Sequence, residues 1–199
     1  MNDMFALAAS ITIGTLFLLS IMRFQFGVSE HSLEKTAEML TQQSTATLMQ
    51  IIEDDFQKIG SGVPISLPPI ESRPDSTDIT FYADLDGDGE PETVRYYLDT
   101  AADVAATDNP DDHILYRVVN GTTTLSAPAG VTAFAVYLRD FESGITTDFA
   151  EAAIVEVAVE VQSNIPYTSG NPDTTIYPTT VWRKWISPPN MVHKISESL

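Results

Sequence analysis

Cysteine is absent from the 199 residues of the chain. This absence excludes disulfide bonds, thiolate metal sites and a cysteine nucleophile. Basic residues are scarce, because 10 Lys and Arg stand against 28 Asp and Glu, which gives a formal net charge of −18. Such a chain lacks the basic patch that binding to nucleic acid or to anionic lipid headgroups requires. We therefore expect no nucleic-acid partner.

Motifs of catalysis are also missing from the sequence. It contains no Gly-x-Ser-x-Gly elbow and no glycine-rich phosphate loop. The three histidines, His31, His113 and His193, are far apart along the chain. The run Asp111-Asp112-His113 is interpreted as the start of a strand rather than as an acid–base cluster. We therefore expect a structural protein and not an enzyme.

An uncharged, mostly apolar run occupies residues 4–22. At about 1.5 Å per helical residue it nearly spans a hydrocarbon core of about 30 Å. A cleaved signal peptide fits poorly, because no basic residue precedes the run and no small-residue cleavage site follows it. Two interpretations stay open: a plain membrane anchor, or a helix that leaves the membrane and packs against copies of itself. The residues expected at that assembly surface are Asp3, Phe5, Leu7, Ile11, Gly14, Leu18 and Ile21.

The next segment, residues 29–59, has neither proline nor glycine, and its apolar residues recur at spacings of three and four. This pattern predicts an amphipathic helix, which the glycines and proline of residues 60–64 end. We assign residues 1–28 to an apolar helix for the membrane or a filament core. Residues 29–60 form the amphipathic helix, residues 61–76 a Pro-rich link and residues 77–199 an antiparallel β head.

The head shows apolar residues with a period of two, which predicts strands. Asn120-Gly121 is a strong hairpin signal. In the strand predicted at residues 153–161, the alternating valines should face a core, and Glu156 and Glu160 should face water. The apolar face of the sheet needs a cover, and the stripe on residues 40–59 is the candidate. The predicted fold class is α+β: a long N-terminal α-helix, apolar in its first half, packs through its second half on an antiparallel β-sheet head.

Acidic charge is concentrated in residues 71–112, which carry 13 acidic and two basic residues. Alternating carboxylates around glycine suit Ca²⁺ with its six to eight oxygen ligands, and the first six positions of the motif match the D-x-D-x-D-G start of an EF-hand loop. The twelfth position is Arg95 instead of Glu, so a later Glu would have to complete the shell. Bound Ca²⁺ and an empty Asp-Gly turn both stay open. The candidate ligands are Asp84, Asp86, Asp88, Glu90 and Glu92.

Three local segments carry a resemblance to a known family. They are the helix exit Asp54-Asp55-Phe56-Gln57-Lys58-Ile59-Gly60, the strand and turn of residues 79–89, and the ending Trp185-Ile186-Ser187-Pro188-Pro189-Asn190-Met191. With this architecture the chain resembles type IV pilins and, more closely, the minor pilins and pseudopilins of type II secretion systems. The resemblance implies a helix that sits in the inner membrane before assembly and a head at the cell surface afterwards.

The chain departs from that family at its N-terminus. Family members carry a short basic leader and a Glu at the fifth mature position, whereas this chain begins with Met1 and has Phe5 there. Either the chain is already mature, or it enters the membrane without the usual processing. Asp3 is a candidate for the role of that Glu, pairing with the N-terminal amine of an adjacent subunit. The alternative is a solvated tail residue.

The leading expectation is a structural subunit of an extracellular or periplasmic pilus-like filament, a helical homo-oligomer that polymerises through its apolar helix. The alternative is a single-copy, membrane-tethered periplasmic binding module or minor pseudopilin of a secretion machine. Heads that each carry a charge of −18 repel one another. Ca²⁺ in the acidic loop would relieve this repulsion. So would pairs between heads that use the basic residues Arg117, Arg139, Arg183 and Lys184.

Overall fold

The computed structural model describes residues 2–101, 107, 109–126, 130–163, 166–168 and 175–191. In this part of the chain one long helix is followed by eleven strands, and residues 189–191 are again helical. Helix α1 spans Asn2–Gln57. The strands are β1 Ile70–Asp75, β2 Asp78–Ala83, β3 Glu92–Asp99, β4 Ile114–Val119, β5 Thr122–Ser126, β6 Val131–Arg139, β7 Ile145–Thr146, β8 Ile154–Gln162, β9 Tyr167–Thr168, β10 Thr175–Ile176 and β11 Thr179–Ile186. The chain divides into two compact units, Met1–Met39 and Leu40–Leu199.

The strands form three antiparallel sheets within the second unit. Strands β1 to β5 make a five-stranded meander in chain order, and the four-stranded sheet has the order β11-β8-β6-β7. Strands β9 and β10 pair only with each other in the described sheets. Strand β1 lies in the segment expected to be a Pro-rich link. It is an edge strand with two register shifts, and it contains Pro74, which fits the tolerance of sheet edges for proline.

The hairpin between β4 and β5 confirms the signal of Asn120-Gly121. Both residues have positive φ, 50° and 76°, as the two central positions of a type I′ turn require. Glycine tolerates this region without a Cβ penalty, and asparagine tolerates it better than most residues. The local sequence therefore sets this turn and the register of the strands on either side of it.

The core of the second unit combines the end of α1 with the inner faces of both large sheets. Phe56 contacts Phe81 edge-on, with ring centroids 5.1 Å apart, and also contacts Tyr96. Tyr96 in turn contacts Phe134 of β6. All four rings are buried, so one aromatic cluster joins the helix, the five-stranded sheet and the four-stranded sheet.

The faces of β8 and β6 are partly as predicted. The four valines of β8, Val155, Val157, Val159 and Val161, are buried as expected, but the prediction for Glu156 is wrong, since this side chain is only 4 % exposed. In β6 a register shift between Val131 and Ala133 brings Val131 into the core, although strict alternation places it with Ala133. A bulge inserts one residue and so changes which face the following residues share.

The predicted fold class is wrong: the described chain is mostly β, with eleven strands in antiparallel sheets, and is not an α+β fold of a long N-terminal helix packed on one sheet. The buried ones among the described side chains of α1 lie between Thr45 and Phe56. The reason is that the head contains two large sheets instead of one, and β6 contacts β2, β3 and β4. The two large sheets therefore contact each other through β6, and the end of α1 belongs to the same core.

Candidate functional site

The first unit exposes an apolar helical surface. Every described side chain of residues 10–25 is exposed. Nine of them are large and apolar, with exposed fractions between 38 % and 74 %: Ile11, Ile13, Leu16, Phe17, Leu18, Leu19, Ile21, Met22 and Phe24. They occupy all sides of the helix, and a helix that is apolar all round is normally buried. This surface therefore calls for an environment that the described part of the chain does not supply.

Four of the predicted assembly residues lie on one stripe of this surface. Ile11, Gly14, Leu18 and Ile21 are spaced by three and four residues, which places them on a single helix face. A Cβ added at Gly14 would meet nothing within 4 Å, so the stripe contains an open notch. The hydroxyl of Thr15 donates to the carbonyl of Ile11 at 2.8 Å, which reduces the polarity of this segment. Such notches allow close approach of a second helix.

The other predicted assembly residues, Asp3, Phe5 and Leu7, have side chains outside the described set. No helix within the described residues combines the length and the apolar character that crossing a membrane requires.

The acidic loop after β2 brings three of its five predicted ligands together. Asp84, Asp86 and Asp88 each offer an oxygen, and these atoms lie within 4.8 Å of one another. Backbone N–H groups already point at the carboxylates: Gly87 and Gly89 donate to Asp84 at 2.6 and 3.0 Å. The loop is therefore folded around its own charge, with the three aspartates converging as oxygen ligands of a hard cation would.

The two glutamates of the loop take different places. Glu92 accepts a hydrogen bond from the Leu85 N–H at 2.9 Å, across the base of the loop. Glu90 is exposed and is not part of the aspartate group. Glu92 is thus the better placed of the two to stabilise the loop, and Glu90 remains a surface charge.

The turn that follows α1 supports the acidic loop. Lys58 Nζ donates to the Leu85 carbonyl at 2.6 Å, and the Asp84 N–H donates to the Ser61 carbonyl at 3.0 Å. A Cβ at Gly62 would lie 3.0 Å from the Cβ of Asp84, and Gly62 has a positive φ of 70°. The close approach and the backbone conformation both require glycine here, so the loop is fixed against the end of the helix.

A buried charged network was not predicted from the sequence. The Asp55 carboxylate accepts hydrogen bonds from Arg117 at 2.6 and 3.0 Å and from the Tyr96 hydroxyl at 2.6 Å. Burial raises the pKa of the Tyr96 phenol well above its usual value, and the negative charge of Asp55 adds to this effect. The pair with Asp55 raises the pKa of the Arg117 guanidinium. The network links α1 to β3 and β4 and satisfies a carboxylate that would otherwise be costly to bury.

Most basic residues expected to pair between heads are engaged inside the head. Arg117 pairs with Asp55, Arg139 with the buried Glu156, and Lys184 with Glu53 of α1. The guanidinium of Arg139 also stacks 4.5 Å above the ring of Trp185. Arg183 differs: its side chain is 65 % exposed, and its contact with Glu156 is 3.6 Å long. Of the four, Arg183 is the most exposed and the least tightly paired, and Lys184 is the next most exposed at 41 %.

A groove lies within the second unit between α1 and β11, with a volume of about 410 Å³. Its walls include Met49 of the helix and Val181 and Trp182 of the strand. The hydroxyl of Thr45, which also lines the groove, is buried and has no hydrogen-bond partner among the described residues. The groove therefore combines an apolar wall with one unsatisfied polar group.

Asp112 is a second buried carboxylate, and only 5 % of it is exposed. Burial raises the pKa of its carboxyl group, and Thr107 and His113 offset part of that shift. Within the described chain, neither carboxyl oxygen accepts a hydrogen bond of ordinary geometry. His113 forms a bridge with Val131 of β6, in keeping with the interpretation that this run begins a strand rather than an acid–base cluster.

Comparison with known proteins adds no relative. A scan against protein-family models gave no match, and neither did searches of curated proteins and of solved structures. The functional inference therefore rests on the geometry of these residues.

Proposed function

We propose that the chain is the structural subunit of a helical, pilus-like filament in which copies bury their apolar helices against one another. The observation that carries the proposal is the exposure of every described side chain of residues 10–25, nine of them large and apolar. Burial of such a side chain is worth about 1.5–3 kcal/mol. Burial of all nine would release on the order of 20 kcal/mol per subunit. Copies of the same helix could provide that burial for one another.

The stripe that contains Gly14 supports self-association over a plain anchor. Lipid surrounds a smooth apolar helix as well as a notched one, whereas close contact between helices depends on small residues at the contact. The Gly14 notch is open, and Ile11, Leu18 and Ile21 flank it on the same face. We propose that this stripe is a helix–helix contact and that the subunit resides in the inner membrane before it joins a filament at the cell surface.

We also propose that the acidic loop holds Ca²⁺. The support is the convergence of Asp84, Asp86 and Asp88 oxygens within 4.8 Å and the rigid base that Glu92 and Gly62 give the loop. One Ca²⁺ ion would offset two of the negative charges that separate neighbouring heads. Its contribution would be to reduce repulsion between subunits and to stiffen the loop, without any catalytic role.

A second candidate function is a single-copy, membrane-tethered binding module. The groove between α1 and β11 favours it, because a cavity of about 410 Å³ with apolar walls is within the size range of ligand sites. In this alternative the apolar helix stays in lipid and the groove binds the partner. Stoichiometry separates the two candidates, since a filament subunit polymerises and a tethered module does not.

The test replaces Gly14 with leucine in the full chain. Gly14→Leu adds apolar surface, so membrane insertion should be kept, but it fills the notch at a position where an added Cβ meets nothing within 4 Å. We expect membrane levels equal to those of the unaltered protein and loss of most pelletable filament, seen by sedimentation and electron microscopy. Ser20→Leu, about 120° around the helix from Gly14, is the matched control and should assemble. Unchanged assembly of Gly14→Leu would contradict the proposed contact, and failure of the unaltered chain to polymerise would favour the tethered module.

A further inference from the structure

The outer face of the four-stranded sheet is the starting point. Register places Val181, Arg183 and Trp185 of β11 opposite Glu160, Ala158 and Glu156 of β8. Directly paired residues share a face, and the alternate residues of β8, its four valines, are buried in the core. These side chains of β11 therefore point away from the core. Across the same face lie Tyr137, which pairs with Glu156, and Arg139, which pairs with Ile145.

This outer face, which we call the Arg183 face, has three β8 residues at its centre, Glu156, Ala158 and Glu160. Around them lie Tyr137, Arg139, Ile145, Val181, Arg183 and Trp185. Val181, Ile145 and Trp185 are each half or more exposed. Large exposed apolar residues that gather on one face mark interaction surfaces more often than residues scattered singly. An aromatic ring, aliphatic side chains and an arginine together are the composition typical of the centre of protein–protein interfaces.

The charge on this face sets the chemistry of the partner. Among the described Lys and Arg of the second unit, Lys58, Arg73, Arg95, Arg117, Arg139 and Lys184 all contact a carboxylate or a carbonyl oxygen within 3.2 Å. Arg183 has only a 3.6 Å contact with Glu156, and Glu156 is already paired with Arg139. Arg183, the least engaged cation of the described head, therefore lies between the exposed Val181 and Trp185 on the edge strand β11. This exposed positive charge fits an acidic partner.

The chain itself carries such a partner surface. Asp86, Asp88 and Glu90 are exposed at the tip of the acidic loop, and among the described ion pairs none uses a carboxylate of this loop. Within the described residues the loop tip has no ion-pair partner, whereas the carboxylate nearest to Arg183 is Glu156, 3.6 Å away and already paired with Arg139. In an assembly of identical subunits each surface is present once per copy, at high local concentration.

We propose that the Arg183 face of one copy docks on the acidic loop of a second copy, with Arg183 placed against Asp86, Asp88 and Glu90. The inference rests on the proposed function and adds to it the contact between heads. Two different patches meet in such a contact, so it is heterologous. A heterologous contact propagates into rings or open helices instead of closing as a two-fold dimer. Arg183 of a neighbour and Ca²⁺ are then alternative counter-charges for the same loop.

The first test is a charge swap in the full chain, performed in chelator so that the loop keeps its whole charge. Arg183→Glu and Asp88→Lys, each alone, should raise the critical concentration for filament assembly roughly three- to tenfold, because each places like charges in contact. The double variant should return to within about twofold of the unaltered chain. Arg95→Glu, at an exposed arginine of the other sheet, combined with Asp88→Lys is the matched control and should show no such recovery.

Several outcomes would overturn the inference. Unaltered assembly of Arg183→Glu, or a double variant no better than the worse single variant, would show that the two surfaces do not meet. In both cases filaments of the unaltered chain would still form, so the proposed function would stand. Absence of filaments from the unaltered chain would remove the proposed function and, with it, this contact.

A second test does not depend on how charge reversal affects folding. The chain has no cysteine, so single cysteines introduced at exposed positions report only the chosen pair. Val181→Cys and Glu90→Cys in mixed filaments should be joined by a short bismaleimide into covalent dimers. Ile65→Cys, at an equally exposed site in the second unit, should give no dimer with Glu90→Cys. Equal yields from the two pairs would contradict the docking.

Discussion

Leu18 and Ile52 are both apolar residues of α1, but Leu18 is 62 % exposed and Ile52 is fully buried. The difference extends to the charged residues. The first unit exposes its described apolar side chains, whereas the second unit buries even Asp55 and Glu156 and pairs each of them with arginine. The second unit thus has a complete core of its own, while residues 10–25 of the first unit have none.

This contrast separates stability from assembly. A buried carboxylate with a paired arginine contributes to the uniqueness of a fold, and its loss is expensive within one subunit. Exposed apolar side chains contribute nothing to the isolated subunit and gain free energy only when another molecule covers them. Changes in the second unit should therefore alter unfolding, and changes in residues 10–25 should alter association.

The largest effect is expected when the buried network of Asp55, Tyr96 and Arg117 is broken. Arg117→Ala leaves the Asp55 carboxylate buried without its cation, and we expect the free energy of unfolding to fall by about 3–5 kcal/mol. Arg95→Ala removes the more exposed pair with Asp78 and should cost about 0–1 kcal/mol. The measurement is urea unfolding of the full chain in detergent, followed by the fluorescence of Trp182 and Trp185, both on β11. Equal losses of unfolding free energy in the two variants would show that the buried pair with Asp55 contributes no more to stability than the exposed pair with Asp78.

An intermediate effect concerns the acidic loop, where charge is neither buried nor paired. Ca²⁺ at about a hundred times its dissociation constant should raise the free energy of unfolding by about 2.7 kcal/mol if it binds only the folded state. The double variant Asp86→Asn, Asp88→Asn keeps side-chain oxygens that can accept the backbone N–H bonds of the loop but lacks the charge. It should lose the response, while Glu142→Gln, at an exposed turn, should keep it. If Ca²⁺ does not change the free energy of unfolding of the unaltered chain, the loop is an Asp-Gly turn that holds no ion.

The smallest expected effect tests Asp112, the buried carboxylate without a paired cation. Its pKa is raised above 3.8 in the folded state, so the proton is held more tightly there than in the unfolded chain. That contribution to stability is complete below the unfolded pKa and is lost as pH rises through the folded pKa. Asp112→Asn stays neutral at every pH, so its stability relative to the unaltered chain should rise as the pH increases from below 3.8 through the folded pKa of Asp112.

The matched control for this pH profile is Asp111→Asn, at the exposed neighbouring position. It should change the free energy of unfolding by less than about 0.5 kcal/mol. A difference between Asp112→Asn and the unaltered chain that stays constant across the pH range would contradict the raised pKa of Asp112.

Local features of the fold could be predicted from the sequence because neighbouring residues determine them. The Asn120-Gly121 turn depends on two residues, and the buried valines of β8 follow from alternation over nine residues. The fold class could not be predicted in the same way. It depends on the contact of β6 with β2, β3 and β4, and no local pattern indicates that a second sheet will cover the first.

The same distinction holds for the candidate sites. The aspartates of the acidic loop were predicted together because they lie within five residues of one another. Asp55 and Arg117 are 62 positions apart, and Glu53 and Lys184 are 131 apart, so their pairing and the groove beside them required the structure. Glu156 has the sequence pattern of a solvated strand residue. Its burial follows from its pairs with Arg139 and Arg183 and from the neighbouring Trp185.

Electron cryomicroscopy of the native particle tests the central claim most directly, because it shows what surrounds residues 10–25. The account predicts ordered fibres in which the helices of many copies bundle at the axis and the stripe of Ile11, Gly14, Leu18 and Ile21 contacts the same segment of a neighbour. Isolated particles, each with this segment in a belt of lipid or detergent, would contradict the filament and establish the tethered module instead.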